Sequence, residues 1–252
     1  MIRWPYPKLF AHRGGGRLAP ENTLAGMKQA RAFGYDAVEF DVKLSADGVA
    51  MLMHDDTLER TTNGFGAFRE KTAAELSQLD AGAWRGSAFV GEPIPRFDDV
   101  MGYLNSQRML ANIEIKPCPR RDVETGRVVA KLANELAIAG HPPLISSFSV
   151  PALTAAAEAA PNLPRALLVE QYDASALDMA RELGCASVNC PWQDVSPVML
   201  SQLHANGFRV MAFTVNDSAV AGSLFALSLD GIFTDTLDDM AGTFPALRIS
   251  AT

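Results

Sequence analysis

Acidic, basic and imidazole side chains collect in four short stretches of this chain: His12-Arg13, Glu39-x-Asp41, His54-Asp55 and Glu114-x-Lys116. A spacing of two places both members of Glu39/Asp41, and of Glu114/Lys116, on one face of an extended strand. Val38, Phe40 and Val42 fill the opposite face of the first pair's strand. If that strand is covered on both sides, Glu39, Asp41 and Glu114 converge on one interior. Buried carboxylates without compensation are strongly unfavourable; they pair or they bind metal. Neutralisation by Arg13 and Lys116 alone is one solution. A hard divalent cation is the better one, because Asp and Glu oxygens suit magnesium or calcium rather than zinc. His12 and His54 titrate near neutrality and can supply the base and acid that displacement at a phosphodiester needs. Either could instead ligate the metal. Arg13 offers a planar fork matched to phosphate oxygens and Lys116 a mobile point charge, roles compatible with neutralising the acids. The glycines at 14–16 would let backbone amides approach an anion. The other two histidines, His141 before Pro142-Pro143 and His204 in a helical segment, read as structural or solvated.

The elements that must position these residues are short apolar runs alternating with helical patterns. Residues 9–12 are strand-like. Asn22 is the expected N-cap of a helix carrying Leu24, Met27 and Ala30 at helical spacing, and Gly34 ends it. Residues 37–44 alternate as a strand, and 49–54 follow as another after Asp47-Gly48. About four residues join them, too few for a crossover helix, so they form an antiparallel hairpin. Residues 55–95 are richer in Gly, Thr and Pro, with one short helix opened by the capping box Thr72-x-x-Glu75. The rhythm then resumes, and one later helix opens on Ser196-Pro197, cap followed by proline. Strands ending near His12, Asp41, Lys116, Phe148, Val169, Cys190, Phe213 and Thr234 make eight β/α units. The expected fold is therefore α/β, a closed (β/α)8 TIM barrel over residues 1–252. It carries a small insertion, hairpin plus short helix, at 45–95, and its site lies at the carboxyl ends of the strands. An open doubly wound sheet is the alternative, but His12-Arg13-Gly14-Gly15-Gly16 lacks the GxGxxG spacing.

Composition excludes several classes. With 252 residues, 48% hydrophobic and 20% charged, the chain can bury a sizeable core and is too apolar for disorder. A net charge of −7 argues against a nucleic-acid or anionic-membrane surface as the main partner. No stretch reaches the ~20 apolar residues of a membrane span, so stable membrane insertion is not expected. The first eight residues lack the basic-then-apolar layout of a signal peptide. Cys118, Cys185 and Cys190 form no CxxC pair, so neither a disulfide framework nor a zinc site is signalled. A soluble cytoplasmic protein is expected.

Taken in order, His12-Arg13-Gly14, Pro20-Glu21-Asn22-Thr23, Glu39-x-Asp41, Asp47-Gly48, His54-Asp55, Arg60-Thr61-Thr62-Asn63-Gly64 and Glu114-x-Lys116 resemble the glycerophosphodiester phosphodiesterase family. Ser147-Phe148, Thr214-Val215-Asn216-Asp217 and Asp230-Gly231-Ile232-Phe233-Thr234-Asp235 agree more loosely. The resemblance covers nearly the whole chain. It implies metal-dependent hydrolysis of a small-molecule glycerophosphodiester to glycerol 3-phosphate and an alcohol. His12 and His54 would be the acid/base pair, Glu39, Asp41 and Glu114 the ligands of Ca2+ or Mg2+, and Arg13 and Lys116 the phosphate-binding residues. It also suggests that the glycerol 2-hydroxyl attacks first to give a cyclic phosphate, with direct attack by water as the alternative. Phe213 departs from the family pattern, standing where many relatives carry tryptophan, which bears on the substrate wall. Lysophospholipids or another phosphodiester are the competing substrates, and a non-catalytic glycerophosphodiester-binding protein is the competing class.

Overall fold

The computed structural model describes residues 4–249. Eight of the nine strands in its sheet run parallel: β1 (Leu9–Ala11), β2 (Ala37–Leu44), β4 (Leu110–Ile115), β5 (Leu144–Ser147), β6 (Arg165–Leu168), β7 (Ser187–Pro191), β8 (Arg209–Phe213) and β9 (Gly231–Thr234). The remaining strand, β3 (Ala50–Leu52), returns antiparallel along β2, with Val42 opposite Leu52 and Leu44 opposite Ala50. The strand order is β1-β9-β8-β7-β6-β5-β4-β2, and pairing of Ala11 with Val38 joins β2 back to β1. The expected closed barrel is what forms, its eight strand ends falling within a few residues of those read from the sequence.

Helices α1 (Leu24–Ala32), α3 (Phe97–Ser106), α4 (Asp122–Leu136), α5 (Val150–Ala159), α6 (Ser175–Glu182), α7 (Pro197–Ala205), α8 (Ser218–Ala226) and α9 (Leu237–Thr243) cover the outside. Val38, Phe40 and Val42 of β2 join that outer core with Phe97 and Val100 of α3 and Val129 of α4. Alternate positions must then face inward. Along β2 these are Ala37, Glu39 and Asp41; along β4 they are Leu110, Asn112 and Glu114. The bottom of the barrel is plugged by Phe10, Ala37, Leu110, Leu144, Ala166, Met211 and Phe233. Two residues further along the strands the interior turns polar, with Asn112 Nδ2 donating to Ser146 Oγ at 2.9 Å. Polarity therefore rises toward the carboxyl ends of the strands.

Between β3 and α3 the chain builds a separate apolar cluster from Met51, Met53, Leu58, Phe68, Leu76 and Ile94. The short helix α2 (Ala73–Leu76) lies here, and both bonds of the Thr72/Glu75 capping box are made. Ser196 caps α7 by accepting from the Met199 amide. The expected cap of α1 is corrected: Thr23, not Asn22, accepts from the Gly26 amide at 3.1 Å. Asn22 is at φ 55° and its side-chain amide is engaged by Asp41 instead. Among the described residues no helix is long and apolar enough to cross a membrane.

Candidate active site

His12, Arg13, Glu39, Asp41, His54, Glu114 and Lys116 all line one pocket of about 210 Å³ at the carboxyl ends of the strands. Its far wall is apolar, formed by Leu168, Phe233 and the edge-to-face pair Phe148/Phe213, whose ring centroids lie 5.8 Å apart. His141 and His204 are elsewhere. His204 is occupied by Asp230, Nε2 to Oδ2 2.7 Å, and the His141 ring makes a long contact to the Ala139 carbonyl.

The three carboxylates are brought together: one oxygen each from Glu39, Asp41 and Glu114 lies within 4.8 Å of the others. Asp41 is buried and well supplied with partners. Its Oδ2 accepts from Asn22 Nδ2 at 2.8 Å, its amide donates to Asn22 Oδ1 at 3.0 Å, and Lys116 Nζ stands 3.4 Å from Oδ1. Burial opposes its charge, yet Lys116, Arg13, His54 and the Asn22 bond hold its pKa down at about 2. Glu39 and Glu114 behave oppositely. Burial, then the Asp41 charge, pushes Glu39 up to about 8 and Glu114 up to about 7. Glu39 Oε2 accepts from the Arg13 amide at 2.9 Å, while its buried Oε1 has no donor. A buried carboxylate oxygen left unsatisfied beside two further carboxylates is a donor set that a hard divalent cation completes.

Each imidazole is backed by a carboxylate. His12 Nδ1 lies 2.6 Å from Asp235 Oδ1, and Asp235 is fixed by Asn216, whose Nδ2 donates to Oδ2 at 2.9 Å. His54 Nδ1 lies 2.6 Å from Asp55 Oδ1. The two settings nevertheless differ. Burial works against the charged form of His12, but the Asp235 hydrogen bond and the charges of Glu39 and Asp235 outweigh it and raise its pKa. Burial of His54 prevails over the Asp41 charge, assisted by repulsion from Arg13, and its pKa is lowered. The Asp55 hydrogen bond raises His54 but does not overcome burial, and Asp55 itself is held charged chiefly by its Arg60 hydrogen bonds, with His54 adding to them.

Arg60 ties the two halves of the site together. Its guanidinium donates to both oxygens of Asp55, at 2.5 and 3.0 Å, and to both oxygens of Glu21, at 2.7 and 2.8 Å. Glu21 in turn accepts from Arg13 Nη1 at 2.8 Å. Arg13 Nε is buried without an acceptor, 3.7 Å from Asp41 Oδ2. One reading of the glycine stretch is corrected. The amides of Gly14, Gly15 and Gly16 already donate to the carbonyls of Glu39, Arg13 and His12, so they do not face an anion. These glycines serve close packing instead. A Cβ on Gly16 would lie 2.4 Å from the Asp235 carbonyl oxygen, and Gly16 itself sits at φ 51°.

Asp235, Glu21, Asn22 and Arg60 receive no chemical role from the sequence alone. Asp235 directly follows a strand end, a position that favours function in barrels. The other three carry no signal of their own beyond lying in motifs.

The family model for the glycerophosphoryl diester phosphodiesterase family matches residues 12–239. The putative glycerophosphodiester phosphodiesterase YhdW of Bacillus subtilis is 32% identical over 91% of this chain and 95% of its own length. A glycerophosphodiester phosphodiesterase of Caldanaerobacter subterraneus is 31% identical over 90% of this chain and 93% of its own. Among solved structures, an Oleispira antarctica phosphodiesterase in complex with the product sn-glycerol-3-phosphate superposes with a TM-score of 0.92. It is 34% identical and covers 96% of this chain and 98% of its own. With its barrel and nearly its whole length matched, this chain belongs to the glycerophosphoryl diester phosphodiesterase family.

Proposed function

We propose that this chain is an enzyme that hydrolyses glycerophosphodiesters to glycerol 3-phosphate and a free alcohol, using a divalent cation, Ca2+ or Mg2+. The observation that carries the reading is the trio Glu39, Asp41 and Glu114 between two carboxylate-backed imidazoles in one pocket. Those three residues would hold the cation. Bound there, it would offset charge developing on the phosphoryl oxygens.

The protein's own residues do the rest. Arg13 and Lys116 bind and orient the phosphate. His54, kept neutral by its surroundings, takes the proton from the attacking hydroxyl, that of the glycerol C2 or of water. His12, whose proton the Asp235 hydrogen bond and the Glu39 and Asp235 charges favour against burial, donates it to the departing alkoxide. Position supports this division: His12 borders both the pocket and a neighbouring groove, so a leaving oxygen turned toward that groove would meet it. Asp235 and Asp55 hold the imidazoles in one tautomer and orientation. The groove is lined by Arg17, Glu21, Arg85, Asn216 and Asp235, with Trp84 as its only large apolar side chain among the described residues. Such a surface favours a polar alcohol over the acyl chain of a lysophospholipid.

In this reading residues 1–252 act as one unit, and the 45–95 insertion supplies His54, Asp55 and Arg60 to the site. A cytoplasmic setting belongs to the same reading, supported by three cysteines that remain free and buried. The test is a panel of glycerophosphodiesters assayed for glycerol 3-phosphate after chelation and after readdition of each metal. Calorimetric metal titration runs alongside. Accumulation of a cyclic phosphate would identify the 2-hydroxyl as nucleophile. No turnover with any diester and any metal would overturn the proposal.

A further inference from the structure

We propose that the groove beside His12 is the binding site for the leaving alcohol, and that it selects alcohols carrying a negative charge, a carboxylate or a second phosphate. This rests on the hydrolase reading above and extends it to the half of the substrate that varies.

The groove has a volume of about 390 Å³ and shares only His12 and Arg13 with the smaller pocket that holds the carboxylate trio. A phosphodiester lying against Arg13 would therefore direct one ester oxygen to each side. The smaller pocket, walled by Phe148, Leu168 and Phe213, suits the constant glycerol half. The larger and more open groove suits the variable half.

Charge in the groove is unbalanced in one direction. Its two acids are taken: Glu21 by Arg13 and Arg60, Asp235 by His12 and Asn216. Its two further cations are not. Among the described residues neither Arg17 nor Arg85 forms an ion pair, whereas every other site cation, Arg13, Arg60 and Lys116, is paired with a carboxylate. Two unpaired guanidiniums at the mouth of a site, on a chain of net charge −7, form a local positive field. Guanidinium forks suit carboxylate or phosphate oxygens.

The groove is also held in place before any ligand arrives. Arg17 donates its amide to the Asp235 carbonyl at 2.9 Å, which anchors it beside the partner of His12. Trp84 and Arg85 lie in a loop that Asp80 closes by accepting from the amides of Gly82, Ala83 and Gly91, each at 2.8 Å. Trp84 Nε1 donates to the Ala81 carbonyl at 2.8 Å, leaving the indole 43% exposed as a fixed wall. Glu92 fastens the loop to the start of α1 by accepting from the Ala25 amide at 2.8 Å. The backbone and indole of this rim are thus set before binding, so only the Arg17 and Arg85 side chains have to order around an anion.

The experiment uses four diesters of glycerol 3-phosphate that differ in the alcohol: propane-1,3-diol, 3-hydroxypropanoate, the monophosphate of propane-1,3-diol, and choline. At low salt kcat/KM for the two anionic alcohols should exceed that for the neutral one by roughly three- to tenfold. That is the range expected of two exposed guanidinium contacts. The choline diester should fall below the neutral one. The advantage should shrink with added salt. The carboxylate and phosphate arms identify which anion is preferred. In Arg17→Gln/Arg85→Gln the anionic-to-neutral ratio should fall to about one, while Arg127→Gln/Lys131→Gln, which alters net charge equally on the remote face of α4, should keep the wild-type ratio. A wild-type ratio of one, or an unchanged ratio in the Arg17/Arg85 variant, overturns this inference while leaving the hydrolase reading intact. Hydrolysis of none of the four overturns both.

Discussion

Replacing Glu39 by glutamine tests the carboxylate trio through stability, independent of turnover. Glu39 is buried beside Asp41, and its pKa is about 8 in the folded protein against an ordinary 4.5. The folded state thus holds this proton more tightly than the unfolded chain does. The sign follows: stability linked to Glu39 is fully present below about pH 4.5 and is lost as pH rises from there through about 8. Integrated from about pH 5 to pH 8, at 1.36 kcal/mol per unit, the loss is about 3 to 4 kcal/mol. A glutamine side chain has no proton to lose, and its carbonyl oxygen can still accept from the Arg13 amide. Chelator-treated E39Q should therefore resist the alkaline fall. Its Tm should exceed wild type by roughly 10 °C near pH 8 and by far less near pH 5, taking 2–4 °C per kcal/mol for a chain of this size. Calcium or magnesium at roughly a thousandfold excess over Kd should close that gap near pH 8 and reverse the order near pH 5. The wild type then gains about 4.1 kcal/mol, whereas the variant has lost one of three anionic ligands. Calorimetric melts at both pH values, with chelator and with metal, read all four quantities. If metal-free wild type is equally stable at both pH values, or if E39Q binds metal with undiminished affinity, the reasoning about the trio is wrong.

Three further outcomes are expected. Alanine at His12 or at His54 should lower kcat at least ~100-fold on natural diesters. A p-nitrophenyl diester, whose leaving group needs no proton, should restore much of the rate to H12A and not to H54A; the reverse pattern would exchange the two roles. Arg13→Lys keeps the charge but cannot reach Glu21 and the phosphate with a planar fork, so kcat/KM should drop by an order of magnitude or more. A change below about twofold, roughly 0.5 kcal/mol, would remove Arg13 from phosphate binding. Arg60→Gln releases Asp55 from its cation, so Asp55 should act more strongly on His54 and raise its pKa. The acidic limb of the kcat/KM profile should move to higher pH, and an unmoved limb would show that Arg60 does not set the state of His54.

What can be read from the sequence has a common physical basis: a parallel barrel covers each strand on both faces. Apolar runs such as Val38-x-Phe40-x-Val42 identify the helix-facing side, and the two-residue period then leaves no place but the interior for Glu39 and Asp41. The same period carries Glu114 and Lys116 on the neighbouring interior strand. Local chemistry is readable too, as the Thr72 capping box and the Ser196 cap show. The cap of α1 is not, because the competition is settled at a distance. Asn22 and Thr23 are adjacent and both are good caps, and the choice falls to Thr23 because Asp41, 19 residues away, takes the Asn22 amide. The glycine amides escape a local reading for a related reason, since their acceptors include the Glu39 carbonyl on another strand.

The groups that tune the site lie beyond the reach of spacing arguments. Asp235 meets His12 across 223 residues, and Arg60 reaches Glu21 across 39. Neither distance leaves a period in the sequence. Yet two chemically identical imidazoles are shifted in opposite directions. Both histidines have a carboxylate at 2.6 Å, so the carboxylate alone cannot distinguish them. The difference lies in what else surrounds each ring. Against the penalty of burial, the Asp235 hydrogen bond and the charges of Glu39 and Asp235 raise His12, whereas burial with the charges of Arg13 and Lys116 lowers His54 despite Asp41 and Asp55. In the proposed mechanism that asymmetry makes His12 the donor on the groove side and His54 the acceptor opposite.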